Sequence, residues 1–152
     1  MAVAQHTGSG AAHTTGTIYL LLFPIPVVLF LSALATDVAY SLSAFLMWLH
    51  FSEWLLAVGL AFGALAAVVL LVEFFVSDAI RAGTPGWSHL LLFFTALIVE
   101  LLNALVHTID GWTAVVPNGL VLSITGSVLA LAAVGTLFAV PVRGVVYRSP
   151  RP

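Results

Sequence analysis

Cysteine and lysine are both missing from this 152-residue chain, and only 7% of its residues are charged. Without cysteine there can be no disulfide, no thiolate zinc site, no Cys-ligated iron–sulfur cluster and no covalently attached c-type haem. Without lysine, and with four arginines in all, no basic surface exists to follow a phosphate backbone, which argues against nucleic acid as a partner. Also absent are G-x-S-x-G, a P-loop, H-E-x-x-H and a dinucleotide fingerprint, so a conventional hydrolase or kinase is disfavoured. These absences point away from a stand-alone enzyme and toward a non-catalytic or electron-transfer subunit. No internal repeat is visible, and a transporter of the alternating-access kind usually has one.

What is present is apolar. Hydrophobic residues make up 62% of the chain and the mean hydropathy is +1.19, too high for a soluble domain and enough for several membrane spans. Residues 1–16 are rich in Ala, Gly, Thr and His and offer little to bury, so they read as a flexible tail. The tail lacks a basic stretch before the first apolar run, so the first helix is expected to be retained rather than cleaved as a signal peptide. Residues 17–148 read as the transmembrane domain and 149–152 as a short C-terminal tail.

The first span is expected over 17–38, kinked by Pro24 and Pro26, with Asp37 marking its far end. Residues 41–76 form 36 residues of apolar chain, about 54 Å as helix, more than a hydrocarbon core of ~30 Å can hold. We divide it at His50 and Glu53: 41–49, with Phe45 and Trp48, should lie along the interface or form an extracellular half-turn, and 54–75 should span. Gly59 and Gly63 form a G-x-x-x-G pair, extended by Ala67, that lets a neighbouring helix approach closely. Gly83-Thr84-Pro85-Gly86 reads as a helix-breaking turn, 87–107 as the third span, 108–118 as a loop and 119–140 as the fourth span, ended by Pro141. The expectation is therefore an all-α integral membrane protein, a four-helix transmembrane bundle.

With four spans, Arg81, Arg143, Arg148 and Arg151 all fall on one side and none on the other. The positive-inside rule then makes both termini cytoplasmic and turns Asp37, His50, Glu53, His107 and Asp110 outward. On the cytoplasmic side Glu73, Asp78, Arg81 and His89 can pair with one another, and Arg143 and Arg148 can reach lipid phosphates.

An ionisable group at the centre of a bilayer costs roughly 2.5–3.5 kcal/mol on translocon scales, so those inside the spans are informative. The third span carries most of them. His89 and His107 lie five helical turns apart on one face, and Glu100 and Asn103 deviate from that line by only about 20° and 40°. One polar stripe therefore runs along this helix and should face the bundle interior. It serves either as interhelical hydrogen-bonding glue or as a ligand, proton or cofactor path built on a buried carboxylic acid.

A second constellation gathers at the outer side, where His50-x-x-Glu53 opens the second span and His107-x-x-Asp110 ends the third. Three readings stand: interfacial hydrogen bonding, a divalent copper, zinc or iron site on His50, Glu53, His107 and Asp110, or a haem b held by His50 and His107.

Phe23-Pro24-Ile25, Asp37, His89, Leu122-Ser123-Ile124-Thr125-Gly126 and Gly144-Val145-Val146-Tyr147-Arg148 together resemble the four-helix bacterial membrane family catalogued as domain of unknown function 2231. The resemblance extends over about 17–148. Its members resemble, in broad architecture, two-haem membrane cytochromes b, and some are joined to periplasmic sugar dehydrogenases. The resemblance implies a multi-pass protein of the bacterial inner membrane that anchors a larger membrane or periplasmic partner. It further implies electrons carried through haem b between that partner and quinone, with a scaffold or accessory role as the alternative. The family usually opens its first span with His-Pro, where this chain has Thr17 and Ile18. That departure removes one partner for His89, a haem ligand candidate at the cytoplasmic end, and leaves His50 with His107 as the bis-histidine pair.

Overall fold

The structure is a computed structural model and describes residues 18–76, 84–109 and 111–138. The described residues are helical apart from short turns, bends and the junction at 44–45, with no strand among them. Four helices are long and apolar enough to cross a membrane. They are α1 (Ile18–Ser43), α2 (Leu46–Val76), α3 (Thr84–His107) and α4 (Asn118–Phe138), and a 3-10 turn at Trp112–Ala114 precedes α4. The expected tails, Asp78, Arg81, Asp110 and the arginines of the C-terminal segment lie outside the described residues.

In α1 the helix is interrupted at Phe23 and continues as Pro24–Ser43. Pro24 and Pro26 each remove one N–H from the hydrogen-bond ladder, which is why the break falls there. Phe23 keeps helical dihedrals (φ −58°, ψ −39°) and donates its N–H to the Tyr19 carbonyl at 2.8 Å, so the break is local.

The division of 41–76 differs from the expectation. Residues 41–43 complete α1, and α2 begins at Leu46, so 41–49 is no separate interfacial segment. The two helices meet because Ala44 takes a left-handed conformation (φ 53°) and returns its N–H to the Tyr40 carbonyl at 2.7 Å, closing α1 within one residue. Glycine is the usual residue for such a cap, so an alanine there left no sequence signal. At 31 residues α2 is about 46 Å long and overreaches a ~30 Å hydrocarbon core. The second correction is at Gly83-Thr84-Pro85-Gly86. Instead of breaking the chain there, Thr84, Pro85 and Gly86 form the first turn of α3, where a proline's missing N–H costs nothing.

Order in the chain is order around the bundle: α1 packs on α2, α2 on α3, α3 on α4, and α4 closes onto α1. Antiparallel neighbours leave α1 and α3 parallel and diagonal. Their buried faces follow the same alternating three- and four-residue spacing. On α1 these are Tyr19, Phe23, Pro26, Phe30, Ala33 and Asp37; on α3 they are His89, Phe93, Ala96, Glu100, Asn103 and His107. Such a 3.5-residue period keeps one seam of each helix turned inward along its whole length. Gly59 and Gly63 of α2 serve two different neighbours. A Cβ on Gly59 would fall 2.7 Å from the Phe30 ring of α1, and one on Gly63 would fall 2.5 Å from Leu97 of α3. The pair therefore wedges α2 between two helices of its own bundle.

In the most apolar stretch of each span between 28% and 33% of the residues are buried inside the bundle, and large side chains on every helix are left to face lipid. Because lipid tails are as apolar as leucine, the main core of Phe23, Phe30, Leu56, Leu70, Phe93 and Ala130 holds through close packing more than through exclusion of water. A second, smaller apolar cluster of Tyr40, Leu49, Ala114 and Val115 closes one end of the bundle, with Val116 and Leu120 packed against it.

Candidate functional site

Beneath that closing cluster three helices each place a polar side chain on a carboxylate carried by the fourth. Asp37 of α1 is fully buried. Its Oδ1 accepts from Ser52 of α2 at 2.5 Å and lies 2.9 Å from Nε2 of His107 on α3; its Oδ2 accepts from Ser123 of α4. Ser52 also meets Thr36 at 2.7 Å. His107 is 1% exposed, and its Nδ1 lies 2.9 Å from the Asn103 carbonyl. A carbonyl only accepts, so Nδ1 carries a hydrogen, and a single proton is shared between Nε2 and Asp37.

The network continues away from Asp37. The Asn103 amide donates to Ser123 at 2.8 Å and to Glu100 Oε2 at 3.0 Å, one turn back along α3. Glu100 Oε1 and Asn103 Oδ1 are buried with no hydrogen-bond partner. Gly126 of α4 makes room for Glu100, since a Cβ there would fall 2.1 Å from Oε1.

At the other end of the bundle a separate cluster forms around His89. Its Nδ1 lies 2.9 Å from the Ala133 carbonyl and 2.9 Å from the Thr136 hydroxyl, and Tyr19 OH meets Nε2. With Nδ1–H donating to the carbonyl, Nε2 is the acceptor and the Tyr19 hydroxyl donates to it. Phe23 stacks on Tyr19 and meets His89 edge-on at 5.0 Å, while Phe93 stacks on His89 and meets Tyr19 edge-on. The two clusters brace the same diagonal. Tyr19 to His89 and Asp37 to His107 are both separations of 70 residues, and the braces stand eighteen residues, or about 27 Å, apart.

The four members of the α3 stripe, His89, Glu100, Asn103 and His107, are all buried. They do not form one continuous path, because Phe93 and Ala96 occupy the stripe between His89 and Glu100. His107 lies inside the bundle on that stripe, and Asp37, expected at the outer surface, is interior as well. The reason is the extra length of α1, which continues to Ser43 and carries Asp37 more than a turn inside the helix end. His50 and Glu53 do lie at the surface, paired with each other at 3.2 Å with side chains 65% and 37% exposed. Asp110 lies outside the described residues.

The donor sets do not fit a haem b on His50 and His107. Both ring nitrogens of His107 are engaged inside the bundle, one by a carboxylate, whereas His50 is exposed and turned to Glu53. His89 is likewise engaged at both nitrogens, with Tyr19 as the partner that Thr17 and Ile18 do not supply. Among the described residues no three His, Asp or Glu side chains gather closely enough to hold a metal.

The family described as predicted membrane protein (DUF2231) matches residues 16–141, most of the chain and all four spans. The chain belongs to this family. Neither the curated proteins nor the solved structures contain a match to it. As a DUF2231 member it is a multi-pass membrane protein in contact with the lipid bilayer, and its matched region contains every residue of both buried clusters. Sequence reasoning missed Ser52, Ser123, Thr36, Tyr19 and Thr136 as partners, and it misplaced Asp37. The shared three-and-four spacing of α1 and α3 is the signal that would have turned Asp37 inward.

Proposed function

We propose that the chain is a multi-pass protein of the bacterial cytoplasmic membrane, with both termini on the cytoplasmic side, whose buried Asp37–His107 pair takes up and gives back protons. The observation that carries this reading is the convergence of three helices on a carboxylate of the fourth inside an apolar bundle. Interhelical adhesion needs no ionisable group; serine and asparagine supply it at lower cost, and such bonds average only about 0.6 kcal/mol in membranes. An aspartate and a histidine in contact hold one proton that either can carry, which is what a relay requires and glue does not. The cluster of Tyr40, Leu49, Ala114 and Val115 supports the same reading, because it separates the pair from bulk water at that end. The cytoplasmic placement of the termini is supported by the four arginines on one side.

The test is proton entry into liposomes that enclose a pH-sensitive dye, under an imposed membrane potential. The native chain should speed acidification beyond that of protein-free vesicles, and Asp37→Asn and His107→Ala should remove the excess. Acidification no faster than in protein-free vesicles would overturn the proposal and leave the network as structural glue.

A further inference from the structure

Counting hydrogens around Glu100 leaves the network one short. Every donor in it is used: both amide hydrogens of Asn103, the hydroxyls of Ser52 and Ser123, and Nδ1–H of His107. Two acceptors have no donor, Glu100 Oε1 and Asn103 Oδ1, and both are fully buried on adjacent turns of α3. As a carboxylate, Glu100 would be an anion with one oxygen unsolvated and a single neutral hydrogen bond on the other. A buried charge so poorly paired is among the costliest arrangements a protein can hold. Among the described residues no lysine or arginine is placed to offset it. The charged groups whose fields reach Glu100 are Asp37 on α1 and His107 on α3, which already share a proton with each other, while α4 carries no ionisable side chain and packs Gly126 against the carboxyl, and on α2 Glu53 is paired with His50 at the surface.

We infer that Glu100 is a second proton-binding site of this centre, occupied by one proton in the resting protein. Protonation removes the buried charge and turns an unmet acceptor into a donor, in a network whose other unmet acceptor, Asn103 Oδ1, belongs to the residue already bonded to Glu100. Turning the Asn103 amide over leads to the same place. Its oxygen would then face Glu100 Oε2 at 3.0 Å, two acceptors that only a proton on Glu100 can reconcile. The ligand is a proton and not a metal ion. Oε1 lies against the Gly126 backbone, where a Cβ would be 2.1 Å away, so a hydrogen fits and a shell of several oxygens does not. The three ionisable groups are then neutral overall, with one proton shared by Asp37 and His107 and one on Glu100.

Glu100 acts here as part of the proton-handling centre proposed above, yet its occupancy is measurable without any transport. The chain has three glutamates, so Glu53→Gln with Glu73→Gln leaves Glu100 as the only one. Infrared spectra of that double variant in nanodiscs near neutral pH, with and without ¹³C-carboxyl glutamate, should show a protonated-acid C=O band that shifts on labelling. The band should vanish in Glu100→Gln and persist in Asp37→Asn. Absence of a label-sensitive acid band overturns the inference. So does an acid band that ignores the glutamate label and disappears in Asp37→Asn, since the proton would then sit on Asp37. A labelled band in a chain that moves no protons keeps the Glu100 site and removes the transport proposal; proton entry without the band does the reverse.

Discussion

Replacing Asp37 by alanine is the most direct test of the geometry, because one substitution takes an acceptor from three helices at once. The carboxylate receives Ser52, Ser123 and His107. At the membrane average of about 0.6 kcal/mol per interhelical bond, losing all three costs roughly 2 kcal/mol. Breaking a buried pair by removing one partner sets the upper end, about 3–5 kcal/mol. Ser52 can fall back on Thr36 and on the Ala33 carbonyl, 3.4 Å away, so the outcome should lie near 3 kcal/mol rather than at the ceiling. Asp37→Asn keeps the shape and one good acceptor, and its amide can donate to His107 Nε2. Its cost should be about 1 kcal/mol, one net hydrogen bond. Reversible unfolding by sodium dodecyl sulfate in mixed micelles, followed by circular dichroism, measures both, and a cycle with His107→Ala should return a coupling of about 2 kcal/mol. A cost below about 0.5 kcal/mol for Asp37→Ala, or no coupling to His107, would refute the view that this contact joins the helices.

Gly126→Ala should destabilise by about 1–3 kcal/mol through overpacking, and the penalty should largely disappear in a Glu100→Ala background, because the atoms it meets are those of the Glu100 carboxyl; equal cost in both backgrounds would sink this account. Gly59→Leu and Gly63→Leu should each prevent the single chain from folding, not merely its association, since their neighbours Phe30 and Leu97 belong to the same bundle; a folded variant that only changes its elution volume would contradict that. Purified protein should show no Soret band, and a band lost in His107→Ala would restore a haem between the outer histidines. Tyr19→Phe should cost about 1 kcal/mol in the same unfolding assay, from the lost bond to His89.

Hydropathy and arginine positions were enough to count four spans, because a bilayer leaves the chain few ways to satisfy its backbone. The period of α3 was also legible, and with it the inward turn of His89, Glu100, Asn103 and His107. Asp37 was not, because its depth depends on where α1 stops, and Ala44 gives no local sign of its left-handed cap. The start of α3 was hidden for the opposite reason. A Gly-Pro-Gly-rich stretch looks like a breaker, yet proline in a first helical turn is harmless.

Composition and periodicity alone therefore determined an apolar four-helix bundle with a polar seam on its third helix. Which residues meet across that bundle was decided only by the tertiary structure. Hydrogen bonds act over about 3 Å, and the parallel, in-register packing of α1 on the diagonal from α3 is what brings Asp37 to His107 and Tyr19 to His89, 70 residues away in each case.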